Sequence, residues 1–519
     1  MVAATRPTRL LDAYGQPIPN ARERAQADLV RLRREVNRSI RARYDAAQTV
    51  TSSENHWAQA DRLSPDAANS WGVRRILRSR SRYEIIENNP YLKGVILSLV
   101  NDFIGSGPKL QVTDKRLSEE RRRLIQRRWN HWAAKVRLRK KLWRLRLARS
   151  VDGEGFLVGR FNPGLRDPIK LDCINIEADR VTSEHLYNGL AKPGEIDGIR
   201  FDKWDNPRDY YILDQHPGAQ LPYATLDAMK GQWIKSPYVL HWFRQDRGWS
   251  RGIPEATPSL PLCALLRRYT LAVVRAAEIA ADFAGILETE GPPGVNAWTD
   301  GQGNMLRDDP FDQFPVEAGM LTTLPWGYKL HQMEARQPGS LYDGFVDALL
   351  REIVRPLLVP FNRAAGSSAN SNMASAVVDE HIYKSGIWED RRDCNEAVVD
   401  PLFDLWWWEA LRANAYLDDP LLREPDLLAE NPTLWIEPPE HTWRWDRIGI
   451  DHTDPLKVAK AMETYRKLHV LTDRDIQETY YNRDVDEWRD EVREDLAFEE
   501  ETGPRNPEPD GSRIEDDED

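Results

Sequence analysis

Four charged residues near the middle of the chain have types and a spacing that suit a metal-dependent nuclease. They lie on an expected β-hairpin and are Glu195, Asp197, Asp202 and Lys203. Carboxylate oxygens are the ligands that Mg²⁺ prefers, and a metal beside a cation can stabilise a transferring phosphoryl group. Surface hairpins routinely carry such charges, however. The sequence therefore favours ordinary residues flanking a turn and leaves a nuclease as an alternative.

Other catalytic signatures are missing from the sequence. It contains no Gly-Lys dipeptide, which excludes a P-loop ATPase or helicase. The ten histidines are scattered, without an HExxH string or a His/Cys cluster of zinc-site spacing. There is no GxSxG elbow, and "GPPGVNAWTDGQGN" lacks the strand–GxGxxG–helix setting of a dinucleotide site. The sequence thus predicts no catalytic residue, no metal site and no cofactor.

Composition indicates a large, water-exposed protein of the cytoplasm. The 519 residues are 41% hydrophobic and 30% charged, and this length suggests about three or four domains. Three cysteines, Cys173, Cys263 and Cys394, lie far apart and predict a reducing compartment. The N-terminus has no apolar core of signal-peptide length, and no run of about 18 apolar residues predicts a membrane span.

Charge is segregated along the chain. Residues 115–149 hold fifteen Lys or Arg against two Glu, whereas residues 484–519 hold seventeen Asp or Glu against four Arg. The basic run is interpreted either as a solvated amphipathic helix pair or as a surface for phosphate or an acidic partner, and the sequence leaves both open. The acidic run ends in a Pro- and Gly-rich tail, 502–519, which is predicted to be disordered.

The expected elements form an α+β chain. Helices are predicted up to Arg149, with Gly105 and Gly107 at a helix end. Strands follow from Gly153, including a hairpin that turns at 205–207. A long helix is predicted from about Pro258 to Gly285. Its Arg268, Arg275, Glu278 and Asp282 fall near one stripe, so this helix is expected to be mostly enclosed with one polar stripe exposed to water.

A second set of helices follows an irregular excursion. Residues 286–338 are rich in Gly, Pro and Asp, and a helix over 339–359 comes next. From Ala364 to Ala376 the side chains are uncharged and none exceeds methionine in size. A helix is then predicted from about Met373 towards Trp408, bent at Gly386 or Pro401. A strand or two within 432–451 and two further helices complete the chain.

Several strings, in this order, resemble the lambda-type family of tailed-phage portal proteins. They cover about residues 70–490 and include "LRSRSRYEIIENNPYLKGVILSLVNDFIGSGPKLQV", "ARSVDGEGFLV", "GIRFDKWDNPRDYYILDQHPG", "VLHWFRQDRGWSRGIPEATPSL", "EAGMLTTLPWGYKL" and "DPLKVAKAMETYRKLHVLTDRDIQETYYNRDVDE". Their number and order, rather than any single string, carry the resemblance. The arm 1–65 and the acidic tail are not covered by it.

The resemblance implies the portal fold, which has a mixed α/β wing, long stem helices, a small clip and a helical crown. Mapped onto this chain, the divisions are a flexible N-terminal arm 1–65, a wing 66–257, a first stem helix 258–285, a clip 286–338, a second stem helix 339–359, a tunnel loop 360–376, a long wing helix 377–430, a crown 431–501 and the disordered acidic tail 502–519.

The resemblance also implies a function. Members form a homo-oligomeric ring of about twelve subunits at one vertex of the capsid, through which double-stranded DNA is packaged and ejected. The implied partners are the DNA, the major capsid protein, the terminase large subunit and the head–tail adaptor. The implied location is the virion, after assembly in the host cytoplasm, with no membrane involved.

The tunnel loop is the implied DNA-facing segment. Its expected site residues are Arg363, Ser367, Ser368, Asn370, Ser371 and Asn372. Small neutral side chains make weak contacts with a moving polyanion, and Arg363 at the loop's base is the cation expected to reach phosphate. Members often carry an Asn–aromatic–Ser–Ser–Ala–Arg string here. Residues 370–377 read NSNMASAV instead, so exact loop contacts do not carry over.

Two alternatives remain at this stage. One is the metal-dependent packaging nuclease that would use Asp197, Asp202 and Lys203. The other is a tail-adaptor or baseplate protein without a DNA channel.

Overall fold

The computed structural model describes most of the chain from residue 62 onward. The described residues are 62–183, 194–219, 230–282, 286–289, 328–331, 342–367, 373–412, 432–435, 437–446, 455–473, 476–477, 481 and 485–502. Residues 1–64 and 65–519 form two separate units, and the helices and strands named below belong to the second.

Twelve α-helices lie within the described residues. They are α1 Pro65–Ala68, α2 Trp71–Arg82, α3 Pro90–Ile104, α4 Glu119–Lys135, α5 Leu138–Asp152, α6 Leu260–Asp282, α7 Tyr342–Val354, α8 Phe361–Ala365, α9 Met373–Cys394, α10 Asp400–Arg412, α11 Pro455–Lys467 and α12 Val485–Thr502. Two π-helical turns, Tyr83–Asn88 and Asn395–Val399, follow α2 and α9 directly. No helix in this part of the chain has the length and apolar character needed to cross a lipid bilayer.

Eleven strands are described. They are β1 Lys109–Val112, β2 Glu154–Phe161, β3 Leu171–Ile176, β4 Glu195–Ile196, β5 Ile199–Phe201, β6 Pro207–Leu213, β7 Gly231–Lys235, β8 Val239–Phe243, β9 Ile286–Thr289, β10 Tyr328–His331 and β11 His441–Arg444. They form a three-stranded sheet β3-β2-β8, a four-stranded sheet β4-β5-β6-β7 and two pairs, β1-β11 and β9-β10, all antiparallel. The predicted mixture of helix and sheet is confirmed.

Local sequence explains the ends of the first long helix. Asn89 caps α3 by accepting a hydrogen bond from the backbone N–H of Leu92, and Pro90 occupies the first turn, where no N–H partner is required. The helix stops at Gly105, whose φ of 48° suits glycine. The predicted helix end is confirmed.

The basic run folds as two amphipathic helices with a tryptophan core. In α4, Trp129 and Trp132 are wholly buried, with ring centroids 4.9 Å apart. Trp129 also packs edge-on against Trp406 of α10 at 5.4 Å, and the indole of Trp132 donates to the carbonyl of Leu171. Burial of large rings accounts for the helices' position, while a role of their outer face towards phosphate stays a prediction.

The predicted hairpin is confirmed at its predicted turn. Strands β5 and β6 are antiparallel neighbours, and Asp205 between them has a φ of 63°. The carboxylate of Asp202 accepts hydrogen bonds from the backbone N–H groups of Trp204 and Asn206, which closes the turn.

The helices predicted over 258–285 and 339–359 are present, and the second is shorter than expected. After α7 the chain tightens into a 3₁₀ turn, Arg355–Leu357, and Leu358 adopts a φ of 56°. Pro356 and Pro360 cannot donate backbone hydrogen bonds to continue the helix. Between the two helices the structure describes the antiparallel pair β9-β10. Residues 283–285, 290–327 and 332–341 lie outside the described residues.

The helix predicted from Met373 towards Trp408 is present, and a bend at Gly386 or Pro401 stays a prediction. It runs regularly through Gly386 and changes to a π-helical turn at 395–399, just before Pro401. The segment 360–376 is not a continuous loop, because it contains α8 and the start of α9. Strand β11, within the predicted crown, pairs with β1 of the predicted wing.

Candidate functional site

Helix α6 has one side that is buried against the protein and one side that is exposed. Cys263, Leu266 and Val273 are buried against the protein, whereas Arg268, Arg275 and Glu278 are exposed on the opposite half. Asp282 ends α6, and its side chain is not among those that the structure describes. The exposed half also carries Leu265, Leu271 and Val274, each more than half exposed. The expectation of a mostly enclosed helix is therefore not met within a single chain, because no element among the described residues covers this half of α6.

The buried half of α6 packs along α7. The ring of Tyr269 lies 5.7 Å from that of Tyr342 and 5.0 Å from that of Phe345. The Ser259 hydroxyl, just before α6, donates to the carbonyl of Ile353 at 2.8 Å. The prediction that these two helices lie side by side in one subunit is confirmed, and their lining of a tunnel stays a prediction.

Arg363 is held by carboxylates at the base of the predicted tunnel loop. It lies on α8, and its guanidinium bonds to Asp102 of α3 and to Glu380 of α9, with 2.7 Å between Nε and Oε1 of Glu380. Its guanidinium carbon lies 4.7 Å from the ring centre of Tyr383, whose hydroxyl donates to Asp102. Burial disfavours the cation, but the two acids outweigh it and raise the pKa of Arg363 above its ordinary value.

This arrangement changes the interpretation of Arg363. Two anions already satisfy the side chain, so it works first as a clamp that joins α8 to α3 and α9. Contact of this cation with DNA stays a prediction. Of the other loop residues, Ser367 follows Gly366, and its backbone N–H donates to the carbonyl of Asn362 at 3.2 Å. Ser368, Asn370, Ser371 and Asn372 lie outside the described residues.

The carboxylates of the nuclease alternative have other partners. Asp197 is bonded by the guanidinium groups of Arg74 and Arg251. Asp202 closes the hairpin turn, and the ammonium of Lys203 lies 4.0 Å from the ring centre of Trp204. Across the described part of the chain, no three His, Cys, Asp or Glu side chains are grouped to hold a metal ion.

A buried ionic network, not predicted from the sequence, surrounds Glu154 at the start of β2. Its carboxylate accepts from Arg251 at 2.6 Å, from Arg78, from His241 at 3.0 Å and from the backbone N–H of Gly252. Burial would raise the pKa of Glu154, but Arg251 and Arg78 outweigh burial and hold it well below its usual range. The four-residue spacing of Arg74, Arg78 and Arg82 on α2 was the available signal.

A second network ties α5 to α9. Arg146 bonds to Glu255 and Asp390 at 3.0 and 2.8 Å, and Arg149 bonds to the same two acids. The guanidinium of Arg149 also lies 4.5 Å from a ring centre of Trp242. These charges are buried and internally paired, so they fix the position of α9, the helix that follows the predicted loop.

One curated protein is similar in sequence. A "Probable portal protein" of Halomonas phage phiHAP-1 is 25% identical over 331 residues, which is 60% of this chain and 56% of that relative. The chain thus matches little more than half the length of this curated relative.

Solved structures of gene transfer agent particles are also similar. The neck of a native particle computed with C12 symmetry matches at 13% identity and a TM-score of 0.38, covering 77% of this chain and 92% of that one. The neck of an empty particle computed with C6 symmetry matches at 15% identity and a TM-score of 0.42, covering 83% and 98%. Likeness at these TM-scores carries no functional conclusion.

The family model described as "Phage portal protein, lambda family" matches residues 51–379, well over half of the 519-residue chain. This match includes the buried network, both packed helices α6 and α7, and the base of the predicted loop. The chain belongs to the lambda family of phage portal proteins.

Proposed function

We propose that this chain is the subunit of a ring at the unique vertex of the capsid, and that the ring is the channel for packaging and ejecting double-stranded DNA. The observation that carries the proposal is the side-by-side packing of α6 and α7 on either side of the 283–341 excursion. Membership of the portal family supports the proposal that this helix pair is the stem.

The exposed half of α6 supports assembly. Leu265, Leu271 and Val274 are 53%, 51% and 54% exposed, and Arg268 lies among them. An apolar face of this kind is costly in water and is covered in an assembly. The stripe of Arg268, Arg275, Glu278 and Asp282 is proposed to lie towards the channel or the next subunit.

The loop that follows Arg363 is proposed to face the DNA. The clamp of Arg363, Asp102 and Glu380 holds the first end of the loop, and α9, fixed by Arg146 and Arg149, holds the second. Both ends of the loop are therefore anchored by ion pairs, and the residues between them are small and uncharged. Such residues can contact a moving duplex without binding it tightly, because they carry no cation to pair with phosphate. Ser367, Ser368, Asn370, Ser371 and Asn372 are the proposed contact residues.

The proposed protein partners are those that would contact a ring at the capsid vertex. The major capsid protein would surround it, the terminase large subunit would dock during packaging, and the head–tail adaptor would dock afterwards. Because Asp197 and Asp202 are bonded within the fold, the structure gives the nuclease alternative no support of its own. Electron microscopy distinguishes a portal from the alternative of a tail-adaptor or baseplate protein without a DNA channel.

Electron microscopy of the purified full-length chain tests the proposal. A portal should form closed rings with a central hole, and a particle lacking the chain should contain no packaged DNA. Purified chain that never forms rings, or particles that package normally without it, would refute the proposal.

A further inference from the structure

The outer side of α5 and the turn before it carry a row of unpaired cations. Arg137 in the turn, and Lys140 and Arg144 one helical turn apart on α5, are all exposed. None of the three bonds through its side chain to a residue that the structure describes. No Asp or Glu occurs from residue 121 to residue 151, so the local sequence supplies no counterion. These three residues form the basic face of α5.

Other cations of the same helix are paired within the fold. Lys141 bonds to Asp172, and Arg146 and Arg149 both bond to Asp390 of α9. At 3.6 residues per turn, the basic face lies on the opposite side of α5 from Arg146 and Arg149. It is therefore turned away from α9, the helix that follows the predicted tunnel loop. Like charges one turn apart destabilise a helix, so stability of the fold does not account for this row.

The surface around the basic face lacks exposed apolar residues. Tyr91 and Phe161 are exposed, but no large apolar side chain is exposed among residues 92–160, all of which the structure describes. The core of a protein–protein interface is depleted of charge and built on aromatic and other large anchors. An interface with DNA is instead polar and positively charged, and most of its hydrogen bonds go to the backbone. The surface therefore suits phosphate better than it suits a protein.

The spacing of the three cations also suits a phosphate backbone. The row spans roughly 10 Å, because the helix rises about 1.5 Å per residue. One strand of duplex DNA presents a phosphate about every 3.4 Å along its axis, so the row matches about three phosphates. The chain as a whole has a net charge of -11. Attraction of DNA to it must therefore come from a local surface of positive charge.

We propose that the basic face of α5 binds the phosphate backbone of duplex DNA, at a place separate from the predicted tunnel loop. The duplex lies along this face and does not have to pass through a ring to reach it. The contact is independent of base sequence, because phosphates carry no direct sequence information. Binding of this kind is a property of the single chain. The inference therefore goes beyond the proposed function and does not depend on it.

Binding of covalently closed circular duplex DNA by the purified full-length chain tests the proposal. A circle without ends cannot thread a closed ring, so its binding reports a surface that DNA reaches from outside. The Kd is measured at about 50 mM and about 200 mM salt, a range over which phosphate contacts weaken strongly. The test variant combines Arg137→Glu, Lys140→Glu and Arg144→Glu. A second variant places glutamine at the same three positions and removes the charge without reversing it.

The matched control reverses three exposed cations elsewhere in the fold. It combines Lys203→Glu and Arg208→Glu in the hairpin with Lys235→Glu at the end of β7. The net charge changes by the same amount as in the test variant, so the control accounts for any general effect of charge. All substituted side chains are exposed, and the melting temperature of each variant verifies that the fold is retained.

The control should bind the circle nearly as the wild-type chain does, and the test variant should bind at least about tenfold more weakly. The slope of log Kd against log salt should become shallower by about 2.7, because each of three phosphate contacts contributes about 0.9. The glutamine variant should lie between the two.

Two results would overturn the proposal. The first is equal binding of the circle by the test variant and the control. The second is displacement of the DNA by polyglutamate at an equal concentration of charge, which would assign the face to an acidic protein. Rings are scored by electron microscopy in the same samples. Absence of rings rejects the proposed function alone, whereas rings that do not bind the circle reject this inference alone.

Discussion

The guanidinium of Arg251 lies 2.6 Å from Oε1 of Glu154, and both side chains are wholly buried although 97 residues separate them in sequence. The pair joins the start of β2 to the segment that leads into α6. Arg251 also donates to the carbonyls of Val181 and Asp197. One residue thus connects the β-rich part to the approach of the first long helix.

Breaking this pair should strongly destabilise the fold. Arg251→Met leaves Glu154 buried with less compensation, and we expect a loss of about 3–5 kcal/mol in the free energy of unfolding. Thermal and urea unfolding of the full chain would measure it. Arg244→Met, at an exposed pair, should change stability by less than about 0.5 kcal/mol. Equal effects of the two variants would show that the buried pair has no special role.

Two histidines should give opposite pH signatures. Burial lowers the pKa of His241 despite its bond to Glu154, so the unfolded state binds its proton more tightly and stability falls as pH drops below about 6.5. Asp400 outweighs burial and raises the pKa of His441, so that residue stabilises at low pH and loses its contribution as pH rises.

The measurement is the melting temperature between pH 5 and 8, a range that brackets the ordinary pKa of histidine, about 6.5. His241→Gln should flatten the loss on the acid side, and His441→Gln should steepen it. The two variants serve as each other's control. A common shift in both, with no change in pH slope, would contradict the assignment.

Substitution by alanine at two glycines should change the stability of the fold in opposite directions. Gly153 has a φ of 87°, and an added Cβ would overlap the backbone of Ile253, so Gly153→Ala should cost several kcal/mol or prevent folding. Gly94 lies within α3 with open space around it, so Gly94→Ala should stabilise by up to about 1 kcal/mol. Soluble yield and melting temperature measure both. Tolerance of alanine at 153 would show that this close approach is not required.

Lysines in the predicted tunnel loop should slow the passage of DNA. Replacement of Ser367, Ser368, Asn370 and Ser371 by lysine adds four cations per subunit, which tightens non-specific binding of the duplex. Rings should still assemble, and packaged DNA per particle should fall at low ionic strength and recover as salt screens the contacts. Alanine at the same four positions is the control and should package normally. Full packaging by the lysine variant in low salt would place the loop away from the DNA.

Local signals in the sequence determined much of the fold. Asn89-Pro90 and Gly105 set the ends of α3, and Asp202 and Asp205 set the hairpin turn. Each depends on backbone conformations or hydrogen bonds within a few residues, which is why the residue types suffice. The matched family strings likewise depend on order along the chain, and membership was predictable from them.

Partner choice among charged residues was decided only by the tertiary structure. Nothing local distinguishes Arg78, which is buried against Glu154, from Arg80, which is exposed, because the difference lies in acids more than 70 residues away. For the same reason Asp197 resembled a metal ligand and Arg363 a free cation until α2, α3 and α9 brought their counterions to them. Long-range packing sets which charges meet and which apolar faces stay uncovered, and it depends on the whole chain rather than on any window of it.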